Sequence, residues 1–265
     1  MPTAQLKDIE LCYERGGSGP RLLYISGTGG DLRQRPGVLE GPLARRFEVL
    51  AYDQRGMGRS SKPDVPYAMA DYADDAAGLM DAVGWDDALV VGVSFGGMVA
   101  QELVLRHPDR VRRLVLCCTS PGGAGGASYP LHEIAHLQGE ARARFMIPLL
   151  DTRRDEAWAQ AQRDAYRELV SFTASNPFAH EPGHLAGARR QIEARQGHDA
   201  WDRLEGVACP VLCAGGRYDG VALPATMQRM ADRIPGARLR LFEGGHLFMQ
   251  EDPDALPAII EFLEG

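Results

Sequence analysis

Short apolar runs closed by turn residues alternate along the chain with longer stretches in which apolar positions recur every three or four residues. The short runs read as buried strands and the longer spacing as amphipathic helices. Strands are expected at IELCYER (9–15), RLLYIS (21–26), FEVLAYD (47–53), DALVVGV (87–93), VRRLVLC (111–117), CPVLCAG (209–215) and ARLRLFE (237–243). Helical spacing covers 70–83, 95–106, 223–233 and 253–263, with Pro, Asp or Gly near several of the ends. Strands separated by helices favour parallel crossovers, so the pattern predicts an α/β fold with a mostly parallel central sheet flanked by helices.

One region breaks the rhythm. From Pro121 to about Glu205 no segment reads as a strand; GGAGG at 122–126 opens a long Arg- and Glu-rich helical stretch containing Trp158, Tyr166, Phe172 and Trp201. The organisation expected is a core formed by 1–120 and 206–265, with 121–205 as a helical cap, or lid, inserted between two sheet strands. No internal repeat is visible.

Composition narrows the partners. A chain of 265 residues with 45% apolar and 25% charged residues can bury a large core as one α/β unit. A formal charge of −7 argues against nucleic acid, whose binding rewards dense Lys and Arg through counterion release. Lys7 and Lys62 are the only lysines, and the bias toward Arg, Ala and Gly fits a GC-rich bacterial genome. The N-terminus lacks the apolar segment of a signal peptide, and no apolar run nears the roughly 20 residues of a membrane helix. A cytoplasmic protein without a membrane partner is expected. Five cysteines cannot all pair, and Cys117, Cys118, Cys209 and Cys213 lie in apolar runs, where thiols pack as small hydrophobes.

Candidate chemistry centres on GVSFG at 92–96. It follows the run ALVV and precedes the helical pattern GMVAQELVLR, so Ser94 falls where a buried strand turns sharply into a helix. A Ser hydroxyl is a weak nucleophile and needs a base within hydrogen-bond reach, oriented in turn by a carboxylate. Among seven histidines, His246 is the best placed, because GGH follows the last strand on a loop at the same sheet edge. His107, in RHPDR, ends a helix and reads as structural. Asp219, in GGRYDG after CPVLCAG, supplies the acid, whereas the strand ending at Cys117 is followed by no carboxylate. The order along the chain is Ser94, Asp219, His246.

These motifs resemble the α/β-hydrolase family, whose order is nucleophile, acid, base. DQRGMGRS at 53–60 is similar to that family's turn after an early strand, and GGHLFMQEDP at 244–253 to its histidine loop. The resemblance covers roughly 20–120 and 206–263. SGTGGD at 26–31 and the length of the lid look closest to small bacterial esterases, enol-lactonases and cofactor-free perhydrolases. The resemblance implies an oxyanion hole of two backbone N–H donors, at Phe95 and at Thr28, with Gly29 as the neighbouring alternative to Thr28. Many relatives carry His-Gly where this chain has Ser26-Gly27, so side-chain support of that loop differs here.

Other motifs carry less. Asp53 and Arg55 read as fixing a turn through hydrogen bonds and a salt bridge. GTGG at 27–30 lacks the GK[ST] ending of a phosphate loop. HEIAH at 132–136 would place His132 and His136 on one helix face with Glu133 as base, the spacing of a zinc hydrolase. No clear third ligand accompanies it, Glu156 being the nearest candidate, so pocket lining or surface is the preferred reading and no metal is expected. Phe145, Trp158 and Phe172 are candidates for packing the lid onto the core, and some for lining an apolar pocket.

A serine at this elbow implies a carbonyl substrate, because relatives that open epoxides or displace halide use an Asp there and a serine ether would be a dead end. The expected activity is therefore hydrolysis of a small, partly apolar carboxylic ester or lactone through an acyl-enzyme, without cofactor. Carbon–carbon bond hydrolysis or perhydrolysis with the same triad, and a ligand-binding receptor of slow turnover, are the alternatives. The sequence does not define an oligomeric state.

Overall fold

The computed structural model describes residues 1–265. Eight strands form one sheet: β1 (Thr3–Gln5), β2 (Glu10–Gly17), β3 (Arg21–Ile25), β4 (Glu48–Tyr52), β5 (Ala88–Val93), β6 (Val111–Cys117), β7 (Val211–Gly216) and β8 (Arg238–Phe242). Their order across the sheet is β1-β2-β4-β3-β5-β6-β7-β8. β1 and β2 run antiparallel to their neighbours and every later pairing is parallel. The seven strands read from the pattern are all present; β1 is too short to give a periodic signal.

Within each inner strand, successive side chains enter different cores, as the two-residue period requires. Leu23, Ile25, Val90, Leu114, Leu116, Val211 and Cys213 join a cluster of 37 buried residues on one face. Helices α1 (Met69–Ala82), α2 (Phe95–Arg106) and α7 (Pro224–Arg233) cover that face. Leu22, Leu89, Val91, Val115, Leu212 and Ala214 enter a second cluster of 17 residues. There the sheet is covered by α8 (Phe248–Glu251) and α9 (Ala255–Glu264), the latter through Ala255, Ala258, Ile259 and Leu263. Four of these helices begin and end within two residues of the spans read from periodicity.

Between Cys117 and Val211 the chain forms α3 (Gly139–Leu150), α4 (Glu156–Ala161), α5 (Arg163–Ala174) and α6 (His184–Gln196), followed by a short 3₁₀ turn at Trp201–Gly206. α3 and α5 share a small apolar cluster of Ala143, Ile147 and Val170. Ala194, Ala200 and Leu204 instead belong to the large cluster under α2, so the end of this segment is rooted in the main core.

Two expectations for the segment are corrected. Phe172 is 78% exposed and Phe145 is 41% exposed, so neither packs the helices onto the core. Phe145 meets only Tyr129 among the aromatics, and Trp158 stacks edge-on against Tyr166 of α5. The aliphatic Ala143, Ile147 and Val170 hold these helices together because they fall on the facing stripes, whereas Phe172 lies on the outer face of α5.

The turn after β4 is fixed as its residues imply. Asp53 accepts from the Leu32 N–H at 2.7 Å and from the Arg59 N–H at 2.8 Å. Burial nevertheless pushes its pKa up to about 6. The Arg55 Nε and Nη2 groups donate to the two oxygens of Asp75 on α1, both at 2.7 Å, with each side chain about nine-tenths or more buried. A buried bidentate pair of this kind is costly to break, because removing one member strands the other charge. Asp75→Ala should therefore lower stability by about 3–5 kcal/mol, read as a shift of the urea unfolding midpoint with an unchanged slope.

Candidate active site

Ser94 follows β5 directly and precedes α2, with φ 54° and ψ −113°. A β-carbon at positive φ is crowded against its own backbone, and such a residue persists only where its surroundings hold it. Here the Ser94 N–H donates to the Cys117 carbonyl of β6 at 2.8 Å, and its own carbonyl accepts from Gly97 at 2.9 Å. α2 also lies very close to the loop after β3: a β-carbon on Gly96 would stand 2.1 Å from the Ile25 carbonyl oxygen. Only glycine permits that approach.

The other two candidates arrive from neighbouring strand ends. His246 Nε2 lies 3.0 Å from Ser94 Oγ, and its Nδ1 lies 2.8 Å from Asp219 Oδ2. The Asp219 side chain has no exposed surface, while the imidazole keeps 11%. The second Asp219 oxygen, Oδ1, accepts from the Val221 and Ala222 N–H groups at 2.7 and 2.9 Å. Each carboxylate oxygen is thus engaged, one by its own loop and one by the imidazole. The structure brings Ser94, Asp219 and His246, far apart in sequence, into one hydrogen-bonded chain.

Both loops lean on the end of α3. The His246 N–H donates to the Leu150 carbonyl at 2.6 Å, Gly220 to that of Leu149 at 2.9 Å, and Thr152 to that of Tyr218 at 2.9 Å. Glu251 adds a further hold on the histidine loop, accepting from Gly245 N–H at 2.7 Å while paired with Arg154 at 2.8 Å. Sequence reasoning did not find these contacts; a run such as LLDTRR carries no motif.

The loop at 26–30 faces the same sheet edge. Gln54 Nε2 donates to the Ser26 carbonyl at 2.8 Å, taking up the support role for which the sequence offered no candidate. Of the two amides considered for an oxyanion donor, Gly29 N–H is occupied, donating to Gln191 Oε1 of α6 at 2.8 Å. The Thr28 and Phe95 N–H groups have no acceptor within the molecule. Gln54 was missed although it stands between Asp53 and Arg55; Gln191 had no sequence signal beyond its place on a helical stripe.

The remaining candidates fall elsewhere. His107 caps the end of α2 and pairs with Asp74 at 2.8 Å. HEIAH does not form a helix. Residues 131–136 make consecutive turns closed by three-residue hydrogen bonds, Glu133 N–H to the Pro130 carbonyl at 3.0 Å and Leu137 N–H to that of Ile134 at 3.0 Å. Leu131 and Ile134 are buried by those turns, leaving His132, Glu133 and His136 exposed. The shared helix face that zinc ligation at this spacing needs is therefore missing, and nowhere do three His, Cys, Asp or Glu side chains gather as a metal set. No helix is long and apolar enough to cross a membrane.

Comparison with known proteins agrees with this architecture. Residues 20–253 match the family described as alpha/beta hydrolase fold. The chain belongs to the α/β-hydrolase family. Among curated relatives, a putative carbamate hydrolase of Azorhizobium caulinodans is 30% identical, the match covering 96% of this chain and 94% of that protein. Among solved structures, the enol-lactonase from Burkholderia xenovorans superposes with a TM-score of 0.80 at 28% identity, covering 100% of both chains. A thermophilic esterase from Thermogutta terrifontis gives a TM-score of 0.74 at 26% identity, over 97% of this chain and 93% of that one.

The packing at the elbow gives a direct test. Gly96→Ala forces a methyl group against the Ile25 carbonyl, and overpacking of this kind costs about 1–3 kcal/mol or more; thermal unfolding should show a lower midpoint, and turnover should fall with it as Ser94 is displaced.

Proposed function

We propose that this chain is a serine hydrolase that cleaves a carboxylic ester or lactone of a small, partly apolar substrate through an acyl-enzyme. The observation that carries the reading is the hydrogen-bonded chain from Ser94 Oγ through His246 to buried Asp219. Family membership, and an enol-lactonase and an esterase among the similar structures, support it.

In this reading His246 Nε2 takes the Ser94 proton as Oγ attacks the carbonyl carbon. Asp219 holds the imidazole with Nδ1 protonated and stabilises the positive charge that develops. The Thr28 and Phe95 N–H groups receive the oxyanion, an assignment supported by their lack of any acceptor within the molecule. His246 then returns the proton to the leaving alkoxide, and a water activated by the same nitrogen releases the acid. Every charge that appears is met by a group already in place, so these steps call for no metal or organic cofactor. Free, largely buried thiols suit the cytoplasm.

The loops that carry Asp219 and His246 also carry Leu223 and Leu247, 50% and 43% exposed, apolar surface in keeping with a partly apolar substrate. A carbamate is attacked at its carbonyl by the same steps, and the relative named a putative carbamate hydrolase makes carbamates part of any substrate panel.

A kinetic panel of esters, lactones and carbamates on wild type and Ser94→Ala tests the reading. Ser94→Ala should lower kcat by a factor on the order of 10⁴ or more with the circular dichroism spectrum unchanged. Ester turnover persisting in that variant would end the proposal. Asp219→Asn should lower kcat by about 10³–10⁴, because the amide favours the wrong imidazole tautomer; activity within tenfold of wild type would require a different acid.

A further inference from the structure

Helix α6 presents Gly187, Gln191 and Arg195 at four-residue spacing, one above another on a single face. Each meets a different loop at the carboxyl edge of the sheet. At Gly187 the helix backbone rests on the turn after β4, where a β-carbon would lie 1.9 Å from the Gly56 carbonyl oxygen. Arg195, buried and without a carboxylate partner, donates to the Tyr129 carbonyl at 2.9 Å and to Ser128 Oγ, in the segment that follows β6. Burial pulls its pKa down to about 10.

Gln191 lies between these two docking points and has no exposed surface. Its Oε1 accepts from the Gly29 N–H at 2.8 Å, and its Nε2 finds no partner. Because Gln191 is wholly buried, breaking its bond to the Gly29 N–H would leave its amide carbonyl without a partner, which makes the bond costly to lose. That bond acts on a loop containing Gly27, Gly29 and Gly30, whose backbone has little stiffness of its own.

We propose that Gln191 is a positioning residue for the oxyanion pocket. It occupies the Gly29 N–H, so that the loop presents the Thr28 N–H and not its neighbour, and it holds the loop from the α6 side while Gln54 holds Ser26 from the core side. The pocket is then complete only with α6 seated across the sheet edge. The inference rests on the serine-hydrolase reading. It adds a residue outside the Ser-His-Asp chain on which the rate depends. Because a preorganised donor acts on charge that develops in the transition state, loss of Gln191 should fall on kcat and spare substrate binding.

The test compares wild type, Gln191→Met and Gln191→Asn for turnover of p-nitrophenyl butyrate and for inhibition by phenylboronic acid, which forms a tetrahedral adduct on a nucleophilic serine. Met fills the volume with only a weak thioether acceptor in place of the amide oxygen; Asn keeps an amide but stops one carbon short of Gly29, and guards against a Met variant that does not fold. In a folded variant kcat should fall roughly 10- to 100-fold, the magnitude of a donor displaced by about an ångström, boronate affinity should fall by a similar factor, and KM should stay within about twofold. A purely structural role would lower the melting temperature without moving kcat and boronate affinity together. Wild-type kcat in a folded variant, or a fall in kcat with boronate affinity unchanged, overturns the inference. Ser94→Ala, assayed alongside, separates the two failures: turnover persisting there refutes the hydrolase reading itself, whereas an inactive Ser94→Ala beside fully active Gln191 variants refutes only the role of Gln191.

Discussion

A single backbone conformation organises the site. Ser94 stands at positive φ between β5 and α2, and it stays there because strand and helix grip it from both sides. The inward hydrogen bond to Cys117 ties it to the middle of the sheet, and the glycine-only contact at Gly96 brings α2 against the loop after β3. Strain of order 1–3 kcal/mol is sustained because the surrounding packing leaves no alternative. With the side chain pushed out at the carboxyl edge, the loops after β7 and β8 need only reach the same edge to deliver Asp219 and His246.

The helices between β6 and β7 are bound to that edge at two places. The end of α3 exchanges backbone hydrogen bonds with the loops carrying Asp219 and His246, and the α6 stripe rests on the loops after β4, β3 and β6. One contact holds the loops of Asp219 and His246, the other the glycine loop that carries Thr28 and Gly29. Segments far apart in the chain thus share one set of loops, and the rigidity of each loop depends on partners outside its own strand.

Local signals are strongest where candidate side chains and secondary structure coincide. GVSFG is legible because a strand, a sharp turn and a helix leave their own periodicities around it, and Asp219 and His246, the carboxylate and imidazole after two further strand runs, meet Ser94 in one hydrogen-bonded chain. HEIAH shows the complementary limit, and the surface placement preferred for it is the one the fold gives. Four-residue spacing means a shared face only inside a helix, and the demand to bury Leu131 and Ile134 folds that stretch into three-residue turns instead. Phe172 shows the same limit: an aromatic residue in a helix carries no label for the face it will occupy, and here it faces out.

What the sequence by itself determined is the alternation of strands and helices, the parallel sheet that follows from it, and the identity of three side chains at strand ends, since each of these is written in spacing over fewer than about a dozen residues. Tertiary structure alone decided which loop amides are occupied and which are free. Gln191 reaches Gly29 across 162 positions of chain, and Leu150 reaches His246 across most of another hundred. Contacts of that kind depend on how helices seat on the finished sheet, a packing outcome to which no local pattern of residues corresponds.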